Sequence, residues 1–383
     1  MNVGRYRCSP GLCSDSDDAR GVRALIPGGR GRPYQNQLGA VKVGLVNDAA
    51  PPVLATVWRG TVVEARIRGH VAVVDASGNV LSSSGMPQAE TTLRSCVKPL
   101  QALPFLRSAA DRIDAEDAEI AIACASHQGE DEHVAAVRRL LAKARVPEEA
   151  LRCGPQLPSD EEAARRLLAS GAVPRPIHNN CSGKHAAMLA TCAVTGWPLD
   201  GYMDPAHPCQ QAVSEAMGEM LGVDLSAAPR GIDGCGLTTY GIPLSAIARG
   251  FAAASADPAF RRAQDAMAAC PFLVAGTARF DTALLEVAGS RVTAKIGGAA
   301  VWAAVARPAG PGIAIKLEAG GGEAIPVVAV AVLKQLEVLD ADLPDRLRPF
   351  ARLALRNWAG REVGEIRAER LDIAPIAQPR WQR

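Results

Sequence analysis

Strand-like runs near both ends of the folding part of this chain, with helical periodicity confined to the middle, limit its fold more than any other feature. The early stretch Thr56–Gly85, TVWRGTVVEARIRGHVAVVDASGNVLSSSG, is β-rich, and ASGN reads as the turn between HVAVVD and VLSSSG. It predicts an antiparallel hairpin. Between about residues 95 and 285 the spacing of apolar residues turns helical, in DEHVAAVRRLLAKA, DEEAARRLLAS, GKHAAMLATCAV, CQQAVSEAMGEML, LSAIARGFAAAS and PAFRRAQDAMAAC. Strand-like runs return in RVTAKIGGAAVWAAV and GIAIKLEAGG, and PVVAVAVLKQLEVL reads as a final buried helix. The expectation is an α/β chain of α+β arrangement: an antiparallel sheet built from N- and C-terminal strands, with a helical lobe beside it. Its cleft would lie where sheet and helices meet.

Residues 1–52 are rich in Gly, Arg, Ser, Asp and Pro and lack either periodicity, so they read as a disordered extension, with one domain over 53–383. The domain has material for a core, since 48% of the chain is hydrophobic. A formal charge of +2 gives no field that favours nucleic acid or an anionic membrane. Ten cysteines at unequal spacings, with no secretory signal and no long apolar run, predict reduced thiols in a soluble cytoplasmic protein.

Four stretches concentrate chemistry. In RSCVKP, Ser95 and Lys98 stand three apart, so a helix starting there would put them on one face. A serine hydroxyl attacks only when a base takes its proton, and lysine serves as that base only where desolvation or a nearby cation depresses its pKa. The apolar PLQALPFL behind the pair, and Arg94 beside it, fit that demand. In CASHQGED, Ser126 is either a second hydroxyl in the same pocket or part of a helix start, where Ser is a favoured cap. In HNNCSGKHAAM, polar, reactive and permissive residues gather in one turn, yet the spacing fails the phosphate-loop pattern. Its Cys181, with Cys235 of GIDGCGLTT, supplies two thiols able to hold a borderline metal. Finally, Lys295 in AKIGG stands on a strand-like run directly before an Ile and two glycines, which permits close backbone approach.

RSCVKP, CASHQGED, NNCSGKHAAML, DGCGL and KIGG, taken in that order over about Val53–Leu339, resemble the asparaginase II-like family of rhizobial-type L-asparaginases. The resemblance implies a serine-β-lactamase-like fold, shared with glutaminases, and a homodimer. It implies one Ser-Lys pair from Ser95 and Lys98 and a second from Ser126 and Lys295. It further implies a zinc site of Cys181, Lys184 and Cys235, with Arg94, His185 and Asp233 near the substrate. A lysine amine must be neutral to bind zinc, so that affinity would depend on pH, and the metal would tune substrate binding more than nucleophile activation. The sequence departs from the family pattern after Cys235, where it reads Gly-Leu-Thr-Thr.

The implied activity is hydrolysis of L-asparagine to L-aspartate and ammonia through an acyl-enzyme, with local spacing favouring Ser95 as nucleophile over Ser126. Two other readings compete. A β-lactamase or peptidase-like serine hydrolase shares the Ser-x-x-Lys and late Lys-x-Gly logic. A non-catalytic zinc- or thiol-based regulatory protein would need Cys181 and Cys235 but not Ser95.

Overall fold

The structure is a computed structural model that describes residues 50–318 and 322–374. Most of the 1–52 extension expected from the sequence therefore lies outside the described residues. Its last residues, 50–52, do not stand apart: the Pro52 carbonyl accepts from Gly69 N at 3.1 Å and Pro51 O from the Arg68 guanidinium at 2.6 Å.

The main sheet is antiparallel throughout. Its strands are β1 (Val53–Arg59), β2 (Val62–Val74), β3 (Val80–Ser84), then, after the small strands β4 (Glu90–Thr92), β5 (Arg230–Ile232) and β6 (Thr238–Pro243), β7 (Val292–Gly297), β8 (Val301–Ala306), β9 (Gly312–Leu317), β10 (Arg352–Arg356) and β11 (Glu362–Ala368). The spatial order is β10-β11-β1-β2-β9-β8-β7, with β3 also on β2, while β4, β6 and β5 form a separate small sheet. The expected hairpin is β2–β3, with Val71 opposite Ser84. Asp75 closes its turn by accepting from Ser77 N and Asn79 N, both at 2.9 Å, and Gly78 takes a positive φ of 96°.

The long β2 changes partners at Gly69, pairing with β1 before it and with β9 and β3 after it. Glycine is required there, because a Cβ would sit 2.3 Å from the Lys316 carbonyl oxygen.

Two expectations are corrected. Helices cover both faces of the sheet rather than forming a lobe on one side. Alternate residues show why: Ala72, Val74, Ala303 and Ala314 face the large helical core that includes helix Leu244–Ala254, while Val71, Val73, Trp302 and Ile315 face helices Phe280–Ala288 and Ile325–Gln335. A strand buried on both faces is apolar at nearly every position. Nor is helix Ile325–Gln335 the last element, since β10 and β11 follow and close the sheet against β1. Their sequences, RLALR and EVGEIRA, mix charge with apolar residues because they are half-buried at most positions.

The predicted helices of the middle stand at Asp131–Lys143, Glu161–Ala169, Ser182–Thr195, Pro208–Leu221, Leu244–Ala254 and Pro258–Ala269. Gly183 lets the first turn of Ser182–Thr195 meet helix Asp117–Ala123, because a Cβ there would lie 2.0 Å from Ile122 O. The cysteines among the described residues are all free thiols. No helix among the described residues is long and apolar enough to cross a membrane.

Candidate active site

The chain turns from β4 into a short 3-10 segment, Arg94–Val97, with Arg94 at a positive φ of 46°. Pairing with β6 fixes that turn: Leu93 N donates to Tyr240 O at 3.1 Å and Arg94 N to Thr239 Oγ1 at 3.4 Å. In a 3-10 turn, residues three apart eclipse. Ser95 stands half-buried on the wall of a pocket of about 410 Å³, and Lys98, three residues on, is fully buried and outside its lining.

Lys98 ties three of the sequence motifs together. Its Nζ donates to Ala125 O at 2.6 Å and to Asn180 O at 3.2 Å, the carbonyls before Ser126 and before Cys181. Burial, opposed by the Cys181 thiol and aided by the charges of Lys184 and Lys295, pushes its pKa down to about 8.

Ser126 also lines the pocket, held by Ser126 N to Val274 O at 3.0 Å, and its hydroxyl is buried with no hydrogen-bond partner among the described residues. It is not a helix cap. Helix Asp131–Lys143 is capped by Glu130, and Ser126–Gly129 form a separate loop. His127 braces that loop: its Nδ1 accepts from Gly129 N, so Nε2 carries the proton and donates to Ser182 Oγ at 3.0 Å, which in turn donates to Ile177 O. Burial drives the imidazole pKa well below its ordinary value, which keeps this tautomer neutral.

Lys295 on β7 is also fully buried, and its Nζ bonds to Ile296 O at 2.9 Å and to Asp281 Oδ2 at 3.2 Å. Asp281 is equally buried, so the two form an ion pair sealed from solvent. The glycines after Lys295 are where the strand meets the serine turn. A Cβ on Gly297 would lie 2.9 Å from Cys96 N, and one on Gly298 would lie 2.9 Å from Arg94 Nη2.

Arg94 is paired with a carboxylate. Its Nε and Nη2 reach Asp233 Oδ1 at 3.1 and 3.0 Å. Burial works to raise the Asp233 carboxyl, but the Gly234 N–H and the charges of Arg94 and Lys184 hold it below the usual range. The Gly-Leu-Thr-Thr segment folds tightly, with Asp233 N on Leu237 O and Gly236 at a φ of 88°.

Cys181, Cys235 and Lys184 converge beside the pocket. Lys184 Nζ is 3.2 Å from Cys235 Sγ, and both thiols line the cavity. The Cys235 thiol, together with the Lys98 and Lys184 charges, holds the Cys181 pKa well below that of an ordinary thiol, while Cys235 is pushed up. Among the described residues no three His, Cys, Asp or Glu gather to hold a metal. A metal here would need the lysine amine as third donor, and two sulfurs with one nitrogen suit zinc.

The pocket wall therefore carries Arg94, Ser95, Ser126, Cys181, Asp233 and Cys235 of the residues expected from sequence. Lys98, Lys184 and Lys295 stand buried behind it. His185, expected near the substrate, is fully buried away from the cavity lining, its Nδ1 2.7 Å from Tyr202 OH. Tyr202 OH accepts from Arg152 N, so it donates to Nδ1 and leaves the proton on Nε2. Gln128, Gln156 and Arg279 line the cavity without having been singled out in the sequence. Gln128 lay within a quoted motif, whereas Gln156 and Arg279 reach the pocket only through the tertiary fold.

A polar cleft at the junction of sheet and helices, lined by the Ser95 and Ser126 hydroxyls and backed by the buried Lys98 and Lys295, is the equipment of an enzyme. The chain belongs to the L-asparaginase II family, whose sequence profile matches residues 55–368, from β1 to the last residue of β11. That membership makes it an amidohydrolase of a family whose activity is asparagine hydrolysis. No curated protein matches the chain.

Proposed function

We propose that this protein hydrolyses the side-chain amide of L-asparagine, with Ser95 as nucleophile and Lys98 as its base. The observation that carries the reading is the contrast between the two lysines. Lys295 has a buried carboxylate at 3.2 Å, whereas Lys98 is sealed among carbonyls and a thiol with no carboxylate partner among the described residues. Of the two, the buried amine without a carboxylate is the one suited to work neutral.

Ser95 Oγ bonds to the amide carbon as its proton passes to Lys98 Nζ, and the tetrahedral oxyanion collapses by breaking the C–N bond. The leaving nitrogen takes the proton as ammonia departs, and water then releases aspartate from the ester by the same route in reverse. In this reading Ser126, the second hydroxyl, and Lys295 make up the second pair. On the same reading Asp233 takes the α-ammonium group, with Arg94 orienting it, and His185 acts from behind the wall.

Cys181, Lys184 and Cys235 would hold zinc, which when bound supplies a fixed positive charge at the wall. Equilibrium dialysis should give one zinc per chain, lost in Cys181→Ser. A homodimer is part of the same proposal and is read out by light scattering. The order of the serine turn, the helical middle and the late Lys-Ile-Gly strand supports a serine-β-lactamase-like arrangement of the fold.

The test is ammonia release from L-asparagine by wild type, Ser95→Ala and Lys98→Ala, with circular dichroism confirming that each is folded. Wild-type turnover abolished in both variants is expected. Turnover retained in Ser95→Ala moves the nucleophile to Ser126, and nitrocefin cleavage in place of ammonia release would favour a β-lactamase.

A further inference from the structure

Glu130 is a buried acid that the chemistry above does not use. Both of its oxygens are spent on one loop: Oε1 accepts from Thr277 N at 2.9 Å and Oε2 from Thr277 Oγ1 at 2.6 Å. Gln128, two residues earlier, donates from Nε2 to Thr277 O at 2.9 Å. From the other side Thr282 Oγ1 accepts from Gly276 N at 3.1 Å and donates to Gly276 O at 2.8 Å. The loop is wound tightly enough that Gly276 has φ 118° and Ala278, not a glycine, has φ 55°. A Cβ on Gly276 would lie 2.4 Å from Glu130 Oε1.

Backbone strain of this kind persists only where surroundings over-determine it, and it concentrates at sites that must present a group. The residue presented is Arg279, which lines the cavity. The other guanidinium on the lining, Arg94, is engaged by Asp233. Arg279 has no side-chain hydrogen bond or ion pair among the described residues. An arginine fork on a pinned loop, facing a pocket with its charge unspent, matches a planar carboxylate.

We infer that Arg279 is the specificity residue that anchors the substrate's α-carboxylate, so that the enzyme selects amides bearing a free carboxylate. The inference rests on the asparagine reading. It assigns the Gln128–Glu130 part of the CASHQGED motif to positioning Arg279.

The test compares wild type, Arg279→Lys and Arg279→Ala in ammonia release from L-asparagine and from its α-methyl ester, with calorimetric binding of L-aspartate alongside. Loss of a charged hydrogen-bonded partner should raise KM for asparagine about 10- to 100-fold in Arg279→Ala, with kcat within about threefold. Arg279→Lys should recover part of the loss. The ester, lacking the carboxylate, should be an equally poor substrate for wild type and Arg279→Ala, and aspartate affinity should fall by the same factor as KM rises. A KM unchanged in Arg279→Ala, or a loss as large on the ester as on asparagine, overturns the inference. Absence of ammonia release by wild type refutes the asparagine reading instead, and calorimetry then decides Arg279. Aspartate binding that weakens in Arg279→Ala supports the anchor; binding that is unchanged, or absent in wild type, overturns it.

Discussion

Replacing Asp281 by asparagine should separate stability from chemistry at the Lys295 ion pair. Both side chains are fully buried at 3.2 Å, and Asp281 Oδ2 also accepts from Ile296 N at 2.9 Å, while Oδ1 has no partner. Asparagine keeps an acceptor for Ile296 N, so the change removes charge rather than shape. Removing one member of a buried pair leaves the other as an uncompensated charge and costs about 3–5 kcal/mol. With a urea m-value of about 3 kcal/mol/M, the unfolding midpoint should fall by about 1–1.7 M. Lys295→Met should cost a similar amount by stranding the carboxylate. The double variant Asp281→Asn/Lys295→Met strands neither charge, so it should be less destabilised than either single variant, short of their sum by at least about 3 kcal/mol. Urea titrations of all four proteins followed by circular dichroism give this cycle. A single-variant cost below about 1 kcal/mol, or a double variant equal to the sum of the singles, refutes the ion-pair argument. Ammonia release should be lost whenever Lys295 is replaced, including in the restabilised double variant.

Two further outcomes are expected. Gly298→Ala puts a methyl 2.9 Å from the end of the flexible Arg94 side chain, so stability should change by less than about 0.5 kcal/mol while KM for asparagine rises several-fold as Arg94 is displaced from Asp233. A lowered melting temperature with unchanged KM would contradict it. Glu119 is buried, accepts from Lys143 Nζ at 3.0 Å and Arg139 Nε at 3.1 Å, and has its pKa lowered from 4.5: burial raises it, but Glu116 N–H, Lys143 and Arg139 outweigh that. A depressed folded-state pKa contributes stability that is full above the unfolded value and vanishes as pH falls through the folded one. Glu119→Gln should therefore lower the urea midpoint at pH 7, with the gap to wild type closing below pH 4.5; a gap that persists in acid would sink the assignment.

The sequence carried the sheet–helix–sheet order because period-2 and period-3.6 patterns survive wherever an element is long. It did not carry β10 and β11, whose charges mask the alternation, nor the three-residue strands β4 and β5. The helices on both faces had a signal in HVAVV, VWAAV and GIAI, which are apolar without alternation. At the site, the five motifs were legible because each packs reactive residue types into one turn. Asp281 and Arg279 were not, because RFD has no pattern of its own; their importance comes from what the fold sets beside them, Lys295 in one case and the Glu130-clamped loop in the other.

Lys98 and Lys295, two of the three buried lysines at the site, explain why the motifs must lie so close together. A sealed ammonium needs either a counter-charge or a saturating set of dipoles, and the protein solves the problem differently at each. Lys295 receives a carboxylate from the helix that follows the Arg279 loop. Lys98 instead receives two carbonyls, from the residues just before Ser126 and Cys181, and the Cys181 thiol. Its solvation shell is thus assembled from the loops that bring the second hydroxyl and the thiols to the pocket. Displacing either loop would strip a partner from Lys98 as well as move its own side chains. On this account Lys98→Met, which has no donor for Ala125 O and Asn180 O, should loosen both loops together. Amide exchange at residues 125–129 and 179–183 should quicken in parallel, and quickening confined to one of them would refute the shared anchorage.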